Sequence, residues 1–206
     1  MMKIEHSLEP IVPFIQKNNP KVQILPLLVP YMSFNQMKHH ARDFSKALHR
    51  IMKQNNLKWG KDITIVISSD AVHYGDKDWG GKNFAKYGAD STGYFKALKH
   101  EKELINSYLT GAVTLDKVKG FFYSTVKKNN YKEYQWTWCG RYSIPFGLLT
   151  SKYLSEFNNA ESLSGTLIDY STSIANKPIP VQDIEMGHTA PANIRHWVGY
   201  AAVGYR

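Results

Sequence analysis

The sequence predicts an α/β fold: a central, mostly parallel β-sheet flanked by helices. Two observations predict it. Ile63-Thr64-Ile65-Val66-Ile67 is a nearly unbroken run of β-favouring apolar residues, the pattern of a strand buried on both faces. It also follows a strand candidate and a long helical pattern, so that strand, helix and strand make a βαβ unit whose crossover should be right-handed.

In chain order, Ser7 is a candidate N-cap for a helix whose Leu8, Ile11 and Ile15 share a side. Pro10 suits a first turn, whereas Pro13 should kink or shorten the helix. Val22 to Val29 reads as a strand, with Pro26 interrupting its donor ladder. Asn35 to about Asn55 carries the best helical periodicity, through Met37, Ala41, Phe44, Leu48, Ile51 and Met52, with Ser33 as its cap. His39, His40 and His49 fall on or near its polar side and read as a solvated face. Trp59-Gly60-Lys61-Asp62 then turns the chain into the Ile63–Ser69 strand.

Residues 75–93, rich in Gly, Asp and Lys with Trp79, Phe84 and Tyr87 among them, read as a functional or covering loop. Helices are predicted at about Thr92–Leu109 and Leu115–Lys128, the second capped by Thr114 and closed by Asn129-Asn130. An aromatic stretch from Tyr131 to Trp138 precedes Cys139-Gly140-Arg141, and Ser143 with Pro145 opens a further helix. Gly165–Tyr170 and Trp197–Tyr205 read as the last strands, separated by a Pro-, Gly- and polar-rich excursion that contains His188. There is no internal repeat and no clean boundary, so residues 1–206 form one expected domain.

Composition narrows the function classes. With 43% hydrophobic and 21% charged residues the 206-residue chain is globular rather than disordered. The absence of any apolar run of about 18 residues, of a signal-like N-terminus and of any cysteine beyond Cys139 leads to the expectation of a cytoplasmic protein with no membrane association. The net charge of +9 can attract acidic partners. Its lysines are dispersed and no nucleic-acid-binding motif accompanies them, so nucleic acid is an unlikely partner.

The candidate site starts where the Ile63–Ser69 strand ends. Ligands gather beyond the carboxyl ends of strands in parallel sheets, and there Asp70 and His73 emerge. Turn chemistry accounts for the same residue types, with Ser69 and Asp70 capping the backbone and His73 packed. Cys139 lies just before a predicted helix N-terminus, where a thiolate is favoured; a buried structural cysteine fits the same position.

Taken together, four segments resemble the Memo family, which includes the AmmeMemoRadiSam system protein B and is related to class III extradiol dioxygenases. They are Glu5-His6-Ser7-Leu8-Glu9, Ser68-Ser69-Asp70-Ala71-Val72-His73-Tyr74, Cys139-Gly140-Arg141, and Tyr170–Ser173 with Val198–Ala202. The resemblance implies a pocket in which His73 is the acid/base, Asp70 orients it or a neighbour, and Cys139 ligates a metal. Glu5, His6, Ser69 and Arg141 would line it. The family's PHAG-Y and GPSH motifs, which supply two histidine ligands, are missing from this sequence. The chain therefore resembles the C-terminal portion of the family, with the other ligands expected on a separate chain or in a lost segment, or else the metal site degenerate. Two imidazoles and a thiolate would suit iron, copper or zinc; His188 is a candidate substitute ligand, although a loop histidine more often faces solvent. Two functions are expected from the resemblance: a metal-dependent redox or dioxygenase-like activity, or a non-enzymatic peptide-binding module. The second would use Trp79, Tyr131, Trp136 and Trp138 as its groove, with positive charge for acidic or phosphorylated peptides.

Overall fold

The computed structural model describes residues 7–177 and 192–206. Its helices are α1 (Val12–Asn18), α2 (Phe34–Gln54), α3 (Ser91–Tyr108), α4 (Leu115–Thr125) and α5 (Ser143–Phe157). Its strands are β1 (His73–Gly75), β2 (Gly111–Ala112), β3 (Val126–Lys127), β4 (Asn130–Tyr134), β5 (Ser164–Thr172) and β6 (His196–Tyr205). Glu5, His6 and His188, all named from the sequence, lie outside the described residues.

The helices form where capping chemistry and apolar spacing coincide. Ser33 closes a capping box on α2: its hydroxyl accepts from the Gln36 backbone N–H, and the Gln36 side chain accepts from the Ser33 N–H at 3.0 Å. Phe34, Met37, Ala41 and Met52 on one side of α2 are buried, and α2 packs along α5, where Ser45 donates to the Thr150 carbonyl at 2.9 Å. Asp90 caps α3, accepting from Gly93 N–H at 2.7 Å, and Thr114 caps α4. Pro13 behaves differently from expectation: it sits in the first turn of α1 and starts that helix instead of kinking it. Helix α4 ends at Thr125, short of the predicted Lys128, because Val126 and Lys127 pair with Tyr134 and Asn130 in a two-stranded hairpin.

The predicted central parallel sheet is not what forms. The main sheet has strand order β1-β6-β5-β2, and every pairing in it is antiparallel. Residues 64–70 run without a strand partner, and no backbone–backbone hydrogen bond involves them among the described residues. The same holds for residues 23–31, where Leu25 is 73% exposed. The predicted βαβ unit is therefore absent among the described residues. The physical reason is that an apolar β-branched run reports a preference for burial and extension but carries no information about which backbone will pair with it. One side of the run does pack: the Ile67 side chain lies over Gly147 of α5, where an added Cβ would come within 2.6 Å of it. Val66 faces outward, half exposed.

The core lies between the antiparallel sheet and α3–α5, around Tyr74, Phe121, Phe122, Trp138, Leu149 and Trp197. Gly75 has φ of +135°, and a Cβ there would fall 1.9 Å from the Arg195 carbonyl oxygen, which accepts from Asp76 N–H at 3.1 Å. Gly75→Ala is expected to destabilise the protein by about 2–4 kcal/mol, from a forbidden backbone region plus a clash, as read by thermal unfolding. Among the described residues no helix is long and apolar enough to cross a membrane.

Candidate functional site

Two backbone segments are stitched together at the site. His73 N–H donates to the Thr137 carbonyl at 3.0 Å, the Thr137 hydroxyl donates back to the His73 carbonyl at 2.5 Å, and Val72 and Trp138 form an antiparallel bridge. Residues 72–73 therefore lie beside 137–138, and the 3-10 turn Cys139–Arg141 delivers its thiol toward the imidazole. Gly140 permits that turn, since a Cβ there would stand 2.3 Å from the Ser69 hydroxyl.

His73 Nε2 lies 3.2 Å from Cys139 Sγ and 3.2 Å from Asp70 Oδ2. The three potential ligand atoms fall within 4.8 Å of one another. Both neighbours converge on the same imidazole nitrogen. A proton relay would need the carboxylate on one ring nitrogen and the thiol on the other, so the arrangement fits a shared cation or a shared proton better. Burial pulls the His73 pKa down, but hydrogen bonds to Asp70 and Cys139 and their charges outweigh it and raise the pKa to about 9. The imidazole therefore holds its second proton at neutrality when nothing else occupies the space.

Aromatic rings and one guanidinium stand around this group. The Trp79 ring lies 5.1 Å from His73 and stacks on His196 at 3.9 Å, and Phe84 bridges from Trp79 to Tyr134. The Arg141 guanidinium covers Tyr134 at 3.5 Å. The covering loop that carries Trp79 is pinned: Arg195 grips the Asp76 carboxylate through Nε at 2.7 Å and Nη2 at 2.5 Å, while Phe84 N–H donates to Gly75 at 2.7 Å.

Asp70, His73 and Cys139 thus come together as the sequence reading had grouped them. Ser69 lies beside them, its hydroxyl turned to the Asp70 carbonyl at 2.7 Å. Arg141 reaches the Lys132 carbonyl at 3.3 Å, and its Nη1 has no hydrogen-bond partner among the described residues. Trp136 and Trp138, expected in a peptide groove, are instead buried at 3% and 2% exposure. Sequence reasoning missed the group that holds them, Glu101 on α3, which accepts from both indoles. A lone acid on the apolar face made by Ala97, Leu104 and Ile105 was the signal. It also gave no role to His196, one of many dispersed histidines.

A family model described as Memo-like protein matches residues 1–182. The MEMO1 family protein TK1477 of Thermococcus kodakarensis is 32% identical over 77 residues, a match that covers 35% of this chain and 24% of that relative. The chain thus matches about a quarter of the length of that curated relative. With the family model running through most of its length, from the segment before α1 past the end of β5, the chain belongs to the Memo-like family.

Proposed function

We propose that the chain builds a metal-binding, redox-active pocket in which Asp70, His73 and Cys139 are the protein ligands. The observation that carries this is the convergence of a carboxylate oxygen, an imidazole nitrogen and a thiol sulfur within 4.8 Å. That donor set is more complete than the single ligand, Cys139, expected from the sequence, and its mixture of thiolate, imidazole and carboxylate suits iron, copper or zinc. Bound there, such an ion would supply Lewis acidity and, for iron or copper, electron transfer. The chain's own residues do the rest. His73 gives up its shared proton on ligation, Trp79 shields one side of the imidazole from water, and the Arg141 guanidinium lies over Tyr134 beside the pocket.

Metal analysis of the purified protein tests the proposal. About one equivalent of a transition metal is expected in the wild type and little in Cys139→Ala. Metal-free protein that takes up no iron, copper or zinc on reconstitution would overturn it. The rival peptide-binding function would use the same pocket with only Trp79 and Tyr131 left from its four aromatics, together with the positive charge. Metal binding is preferred because it uses the converged side chains.

We also propose that a strand-bearing partner chain completes the fold and supplies further ligands. The support is that residues 64–70 make no backbone–backbone hydrogen bond among the described residues, since extended backbone with free groups is a template for strand addition. In the isolated chain the amides of residues 64–68 are expected to exchange with solvent without protection, by hydrogen-exchange mass spectrometry. Strong protection in a monomer would remove the partner.

A further inference from the structure

Glu101 is a fully buried carboxylate on α3 with four donors around it. Its Oε1 accepts from Trp136 Nε1 at 2.5 Å and Trp138 Nε1 at 2.6 Å. Its Oε2 accepts from the Tyr170 hydroxyl at 3.2 Å and the Val72 backbone N–H at 3.3 Å. The room above it is kept by Gly199: a Cβ there would lie 3.3 Å from Oε2 and 2.6 Å from the Tyr170 oxygen. Three of the four donors, two indole N–H groups and a backbone N–H, can only donate. Each needs an acceptor once buried, and a carboxylate is the one side chain that offers two acceptor atoms side by side.

What this buried acid holds matters more than how it is held. Val72 immediately precedes His73 and Trp138 immediately precedes Cys139. The same two residues form the isolated bridge between the segments. The carboxylate therefore fastens the two site-bearing segments to one point on α3.

We propose that Glu101 is a positioning residue for the Asp70–His73–Cys139 group, fixing the separation of His73 Nε2 and Cys139 Sγ through Val72 and Trp138. The inference deepens the metal-pocket proposal and rests on it only for the metal readout below. Outer groups that orient ligands without touching the ion commonly set affinity by 10- to 100-fold.

The experiment uses the full chain with two readouts, the metal titration above neutral pH and the alkylation near neutral pH, where a neighbouring imidazolium still raises the thiolate fraction. Cobalt(II) titration follows the thiolate-to-metal charge-transfer band, and iodoacetamide reports Cys139 reactivity without metal. Glu101→Gln keeps the shape but turns an amide N–H toward one of the donors. It is expected to weaken cobalt binding about 10- to 100-fold, to alter the band, and to slow alkylation several-fold as the thiol loses its imidazole. Leu104→Ala, on the same helix face, is the control: it lowers stability but leaves both readouts unchanged. If Glu101→Gln does not fold, Trp138→Phe removes one indole donor and should move both readouts the same way. A folded Glu101→Gln protein with wild-type cobalt binding and alkylation overturns the proposal while leaving the metal pocket standing. Slowed alkylation in a protein whose wild type binds no cobalt supports the positioning role and overturns the metal pocket.

Discussion

His73→Ala is expected to remove transition-metal binding, with a loss of affinity on the order of a hundredfold or more. A structural zinc site holds its ion with about 10–16 kcal/mol, commonly spread over four ligands, so each ligand carries roughly 3 kcal/mol, or about a hundredfold. The central place of His73 raises that figure, because its Nε2 is the atom that both Asp70 Oδ2 and Cys139 Sγ approach at 3.2 Å. Without the imidazole the carboxylate and the thiol face an open gap. Cys139→Ser should follow closely, since a hydroxyl at neutral pH is a poor ligand where a thiolate is a strong one. Asp70→Asn should cost least, because the amide oxygen still offers a donor at the same reach. Competition titrations with a chromophoric chelator rank the three. An order in which Asp70→Asn is the most damaging variant would contradict the central role of His73.

The motif residues were legible because each motif is local. Asp70 and His73 sit three residues apart on one chain segment, while Cys139 lies 66 residues from His73 and was grouped with it only through the resemblance of the ordered motifs. The helices were legible for the same reason: the Ser33 and Thr114 caps and the apolar spacings lie within a few residues of one another, whereas the Asp90 cap came only with the structure. The sheet was not. Whether Ile63–Ser69 joins a parallel ladder depends on residues far away in sequence, and in the structure its neighbours Ala71 and Val72 bond to Gly199 of an antiparallel strand instead. Burial of Trp136 and Trp138 was equally hidden, because an aromatic stretch reads alike as groove or core until a buried acceptor such as Glu101 is placed beside it. Glu101 itself looked like one charged residue among many on a helix.

That buried acid also makes the protein's stability depend on pH in a direction that can be measured. Burial raises the Glu101 carboxyl from its ordinary 4.5 to about 7, against the opposing pull of hydrogen bonds from Trp138, Trp136, Val72 and Tyr170. For an acid whose folded pKa lies above its unfolded value, the unfolded chain ionises first. Stability from this group is therefore fully present below about pH 4.5 and falls as the pH rises toward 7, levelling off above it. The span corresponds to roughly 3 kcal/mol. Tyr170 on β5 faces the same carboxylate, but burial and the Glu101 charge push its phenol far above its ordinary value, so it stays protonated through this window. His73 slopes the same way at higher pH: its raised pKa gives stability below 6.5 that is lost as the pH climbs through about 9. The two contributions separate in Glu101→Gln, which cannot ionise. Urea unfolding of that variant and the wild type should show the acidic-to-neutral slope flattened and the alkaline slope kept. An unchanged slope between pH 4.5 and 7 would mean that the four donors hold Glu101 ionised throughout.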